Sequence, residues 1–339
     1  MANLEALRAE IEALENPVFA VLDGAQFDNL PDALLDGDFV HKPLYLDRGD
    51  GNRDQTITAP QLVWLDRDMD SAPGHEDAPA PDILDRLFDL IGDKPAAVFW
   101  ECPAGGDVLY KHLRGINMVM VSNDISMDRG KSYERSPLPS PNVHNTSRTN
   151  HDAVGYECVL FRHADANVMA QILPVLSETQ FARIFGPTTH IIFAPGDDWA
   201  IGSPTMIAPK PKDLPATPSG PLKLDADTLK NVESQRKNVR SKRVIKHVRG
   251  NLPPEFAGMS DKQLSEQVND AIVGAESYGV DQEAAFSRWS YMYVLTGGAV
   301  NRDPQIRKFM VSDTFVGSPN TKAKQVMDAL IYGLGRKAS

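Results

Sequence analysis

Between Pro195 and Pro221 the chain carries seven prolines, at positions 195, 204, 209, 211, 215, 218 and 221. Proline fixes φ and lacks an N–H, so a stretch this dense sustains neither a helix nor a central strand. It is the natural boundary between two lobes, and 339 residues suit about two domains of the usual ~150 residues. Hydrophobic residues make up 42% of the chain, enough for a sizeable core in each.

The two sides of that boundary carry different periods. Ahead of it, short apolar runs bounded by Pro, Gly or Asp read as strands: Val18–Leu22, Leu62–Leu65, Ala97–Trp100, Met118–Val121, Glu157–Arg162 and His190–Phe193. Between them, Ile83, Leu84, Leu87, Phe88 and Ile91 share one helical stripe, with Pro81 suited to the first turn and Gly92 to the C-cap. Asp165 can N-cap a second helix that Pro174 limits, and Ser177 with Gln180 has capping-box spacing. Residues 122–155 are polar and without apolar period, which predicts a long exposed loop. Beyond the prolines the pattern is helical over about Asp225–Arg249, Ser260–Tyr278, Asp281–Leu295 and Asp303–Met310, then a loop, a weak helix around Val326 and Leu330, and a basic end. The expected architecture is an α/β lobe over 1–194 (a mixed sheet with flanking helices), a Pro-rich connection over 195–224, an all-α lobe over 225–310 and a tail over 311–339.

Charge is uneven. Lys plus Arg is 35 and Asp plus Glu is 46, net −11, which argues against a dedicated nucleic-acid binder. Residues 1–100 hold 7 basic and 21 acidic residues, net −14, leaving +3 for the remainder. Only Cys102 and Cys158 occur, in no metal-binding spacing, as expected of a protein in a reducing cytoplasm. The N-terminus lacks the order of a signal peptide, and no apolar stretch approaches the ~20 residues that span a bilayer.

No residue set announces catalysis. The eight histidines form no metal-binding pair, and phosphate-loop, dinucleotide and nucleophile-elbow spacings are absent. No cofactor is expected. A thiol site would need Cys102 beside His112 and Asp107, and a carboxylate site would use Asp197 and Asp198 next to Trp199. The sharpest electrostatic feature is Lys230–Arg249, with eight cations against Glu233. Arg236, Arg240 and Arg243 recur at i, i+4 and i+7, with Lys237 and Lys246 nearby. This run reads either as a solvated helix face balancing the acidic lobe or as a docking surface for an acidic protein segment. Nucleic acid is a third reading, weakened by the net charge and by the lack of interleaved aromatics.

The order of segments resembles one family. Pro17–Gln26 (PVFAVLDGAQ) is similar to the opening strand "Y-A-L-(V/L)-D-G-A" of the type VI secretion effector adaptor (chaperone) family. Pro43–Leu46 resembles its second segment, Pro60–Leu65 its "P-x-L-(V/L)-x-L" strand and His112-Leu113-Arg114 its "H-L-R" helix end. Val159–Asp165 resembles "L-F-R-(F/Y)-x-D", and Gln180–Pro187 is close to "Q-x-x-x-(F/L)-F-G-P". Asp165-Ala166-Asn167 stands where the family commonly has Asp-Pro-Arg, and the match in the helical lobe, centred on Ala275–Val280 and Gly297-Gly298, is weaker. The resemblance implies a non-catalytic cytoplasmic adaptor that binds a toxic effector and helps load it onto a VgrG or PAAR-tipped spike. On that reading a cleft shared by the two lobes grips the effector, through Arg236, Lys237, Arg240, Arg243, Lys246 and Trp199. No nucleic acid or membrane is an expected partner.

Overall fold

The computed structural model describes residues 2–44, 53–68, 77–123, 155–200, 203–312, 314 and 317–335. Most of the loop expected over 122–155 lies outside them. Two compact units emerge, Met1–Glu233 and Ser234–Ser339.

Among its described residues the N-terminal unit has nine strands: β1 (Val18–Leu22), β2 (Phe39–Pro43), β3 (Gln61–Asp68), β4 (Ala97–Glu101), β5 (Met118–Ser122), β6 (Tyr156–Leu160), β7 (His190–Phe193), β8 (Met206–Pro209) and β9 (Leu222–Leu224). Six of them form an antiparallel sheet in the order β2-β3-β1-β4-β7-β8. The remaining three form a small sheet, β6-β5-β9, in which β5 pairs antiparallel with β6 and parallel with β9. The helices are α1 (Ala2–Glu12), α2 (Leu30–Asp36), α3 (Arg53–Thr58), α4 (Pro81–Ile91), α5 (Gly106–Ile116), α6 (Ala166–Ile172) and α7 (Glu178–Phe185).

Why the strand runs are continuously apolar, rather than alternating, follows from burial of the large sheet on both faces. Phe19, Val21, Leu62, Trp64, Val98, Trp100, Ile191 and Phe193 point to one side and pack with α5, α6, α7 and the small sheet. Val18, Ala20, Leu22, Val63, Leu65, Phe99 and Ile192 point to the other and pack with α1, α2 and α4. The stripe on α4 is wholly buried there, Pro81 is its first residue and Gly92 caps it at φ 56°.

Of the prolines between 195 and 221, Pro209 lies in a strand, the sheet-edge strand β8. Lys210 N–H donates to Thr189 O at 2.8 Å, and the β7–β8 register then places the ladder bonds at Ala208 and Met206. Pro209 falls between them with its nitrogen facing away from β7, so its missing N–H costs no ladder bond. The segment after Pro195 thus contributes β8 and β9 to the N-terminal unit's sheets.

The division between units falls inside α8 (Ala226–Asn251). The C-terminal unit continues with α9 (Asp261–Ser277), α10 (Glu283–Leu295), α11 (Ala299–Arg302), α12 (Pro304–Val311) and α13 (Pro319–Gly335). Its core gathers Val244, Val248, Leu264, Val268, Ile272, Phe286, Trp289, Met292 and Val326. The Ser260–Gln263 capping box opens α9 as the spacing predicts. The helix expected around Val326 and Leu330 forms as α13 and is longer than its pattern suggests, with Ala323 and Val326 buried in this core. No helix among the described residues is long and apolar enough to cross a membrane.

Candidate functional site

The segments that carry the resemblance are joined to one another by their polar residues. Asp23, at the end of β1, is 4% exposed and caps the turn Gly24–Gln26. Its carboxylate also accepts from the Arg162 guanidinium, which reaches the buried Asp165 at 3.3 Å. Asp165 in turn caps α6. Burial raises the Asp165 carboxyl above its ordinary range, against the opposing pull of Arg162. Gly24 is required because a Cβ there would stand 2.6 Å from Ala59 O.

A second joint links α5 to α7. His112 is hydrogen-bonded through Nε2 to Ile184 O at 2.7 Å, and burial pushes its pKa down to about 4. Gly186 sits at φ +50° with its Cα against the ring; a Cβ would lie 2.2 Å from His112 Cε1. Gln180 closes the capping box with Ser177 and donates from Nε2 to Lys223 O at 2.9 Å. Asn167, where the family pattern carries arginine, accepts the Gly196 N–H at 2.9 Å and holds the chain that enters the Pro-rich segment. His163 is fully buried, pairs through Nε2 with Asn117 Oδ1 at 2.6 Å, and burial lowers its pKa to about 3.

Sequence reasoning missed Glu101. It ends β4 at 2% exposure, and its carboxylate accepts from Asn16 Nδ2 (2.8 Å), His190 Nδ1 (2.5 Å) and Thr189 Oγ1. Burial alone raises its pKa, but these hydrogen bonds more than reverse that and leave it below the usual glutamate range. A charged residue directly after the buried run Ala97–Trp100 was the available signal.

The residues of the two catalytic alternatives have separate surroundings. Asp107 and His112 lie five positions apart on α5, about 140° around the helix at ~100° per residue. The Asp107 side chain is 81% exposed and 3.6 Å from Lys42 Nζ, whereas His112 faces Ile184 and Gly186. Cys102 is buried in the core beneath α5. Asp197 and Asp198 are exposed in a turn closed by Trp199 N–H to Gly196 O at 2.8 Å, and Trp199 lies half-buried against that same core. Among the described residues no group of three or more His, Cys, Asp or Glu could hold a metal ion.

In the C-terminal unit the basic helix divides into two kinds of cation. Arg240 donates from Nη2 to Glu276 Oε1 at 2.6 Å, with its guanidinium 4.2 Å from the Phe286 ring centroid. Arg243 pairs with Glu283 at 3.1 Å and Arg249 with Asp261 at 2.7 Å. Arg236, Lys237, Lys242 and Lys246 are exposed. Two of the three arginines singled out by spacing therefore hold α8 against α9 and α10. Their acidic partners stand 36 and 40 residues downstream, too far for helix periodicity to reveal.

No protein-family model, no curated protein and no solved structure matches this chain.

Proposed function

We propose that this protein is a cytoplasmic, non-catalytic adaptor that binds a type VI secretion effector and promotes its loading onto a VgrG or PAAR-tipped spike. The observation that supports this reading is the ordered set of motifs from Pro17 to Pro187, together with the contacts among their own residues: Asp23 with Arg162, Arg162 with Asp165, and His112 with Ile184 and Gly186. Residues committed to holding a framework in this way suit a binding scaffold. Under the same reading, the exposed cations of α8 and the half-buried Trp199 are contact candidates in their respective units.

The test is recovery of tagged protein from its native bacterium at moderate salt, with mass spectrometry of what is retained. One large toxin-like protein, with or without spike components, is the expected companion. Recovery of the tagged chain alone, under conditions where the spike proteins are expressed, would overturn the reading.

A further inference from the structure

The geometry points to a docking surface for an acidic protein segment on the face of α8 that carries Lys242 and Lys246, a different face from the Arg236–Arg240–Arg243 stripe. In its second half α8 buries Val244 and Val248 in the helical core. At ~100° per residue, Lys246 points about 160° away from both valines, and Lys242 about 160° and 120° away. Both lysines are exposed.

Three carboxylates of the helical unit pair with arginines of α8. Glu283 is taken by Arg243 on one flank of this face, Asp261 by Arg249 on the other, and Glu276 by Arg240. Lys242 and Lys246 are left as an i, i+4 pair of like charges, an arrangement that destabilises a helix. Neither has an acidic residue three or four positions away on α8, where Asn238, Val239, Arg243, Ile245, Arg249 and Gly250 stand instead. An incoming segment with carboxylates about one helical turn apart matches the 5–6 Å spacing of the pair and removes the repulsion. The chemistry favours a protein segment over single-stranded nucleic acid, because α8 contains no Phe, Tyr or Trp as a stacking platform beside the two lysines. The adaptor reading enters only in naming the segment's owner, the effector.

The test uses the full-length protein and a fluorescein-labelled alanine-based peptide with glutamates at i and i+4, followed by fluorescence anisotropy at low and moderate salt. Binding that weakens with salt is expected, about tenfold or more weaker in Lys242→Glu/Lys246→Glu and kept in Lys242→Arg/Lys246→Arg. Circular dichroism confirms that the variants are folded, and Lys242→Gln/Lys246→Gln serves if charge reversal unfolds α8. Three results overturn the inference: unchanged affinity in the double variant, an equal loss from Arg236→Glu alone, or equal or tighter binding of a single-stranded oligonucleotide of the same charge. Because the peptide assay needs no effector, its failure leaves the adaptor reading standing, and an empty pull-down leaves the peptide result standing.

Discussion

The two units handle charge in opposite ways. The N-terminal unit buries Asp23, Glu101, His163 and Asp165 and uses them to tie together segments far apart in sequence; Lys322 is the charged residue buried in the described part of the C-terminal unit. Lys322 donates to Met310 O and Ser312 O, closing the end of α12, while the pairs Arg243–Glu283 and Arg249–Asp261 sit at the surface. Burying a charge is costly unless it is fully hydrogen-bonded, so the first design ties stability to pH and to single side chains. The second relies on apolar helix packing, and it leaves Lys242 and Lys246 exposed on α8.

The largest expected effect breaks the helical side of this contrast. Trp289 is fully buried, edge-on to Tyr278 at 5.5 Å, and donates to Asn301 Oδ1 at 2.7 Å. Trp289→Ala removes the ring and strands Asn301, so chemical denaturation should show a loss of about 3–5 kcal/mol confined to the C-terminal unit. Next comes acid. Unfolded histidine titrates near 6.5, whereas folded His112 and His163 stay neutral down to about 4 and about 3. Below pH 6.5 the unfolded state therefore takes up protons that the folded state refuses, and stability falls with pH, by roughly 3 kcal/mol for His112 alone. Glu101, held low, adds a further loss at still lower pH; Asp165, held high, acts in the opposite direction. The other tryptophans, Trp64, Trp100 and Trp199, lie in the N-terminal unit, so fluorescence of Trp289→Phe reports that unit. His112→Gln should move its acid midpoint to lower pH, and a midpoint that does not move would contradict the assignment.

Glu101→Gln should cost the N-terminal unit about 2 kcal/mol, since its oxygens accept from three side chains and the amide would turn a donor toward one of them. The smallest effects separate the arginines. Arg240→Ala should cost the helical unit about 1–2 kcal/mol because the half-buried pair with Glu276 also stacks on Phe286. Arg243→Ala, whose pair with Glu283 is more exposed, should cost less than about 1 kcal/mol. Thermal melts of the two variants side by side would show the difference; equal losses would place both arginines in the same role.

Much of the framework is readable from local pattern. The runs at Val18–Leu22 and Ala97–Trp100, the α4 stripe with its Pro81 start and Gly92 cap, and the capping boxes at Ser177 and Ser260 each need only neighbouring residues to be recognised. Elements that depend on distant partners are harder. Helix α1 buries little beyond Leu7 and Ile11 and otherwise reads as an acidic segment, and α13 shows its face only once the helical core exists to receive Ala323 and Val326. The same limit applies to the candidate site. Spacing alone grouped Arg236, Arg240 and Arg243, but only tertiary structure shows that Glu276 and Glu283 occupy two of them and that Lys242 and Lys246 point away from the core.

The most direct test of the adaptor account is deletion of this gene in the producing bacterium, followed by measurement of effector delivery into a target cell alongside firing of the secretion apparatus. The expected result is loss of delivery of one effector while firing and other effectors continue, with recovery on complementation. Undiminished delivery of every effector would contradict the account.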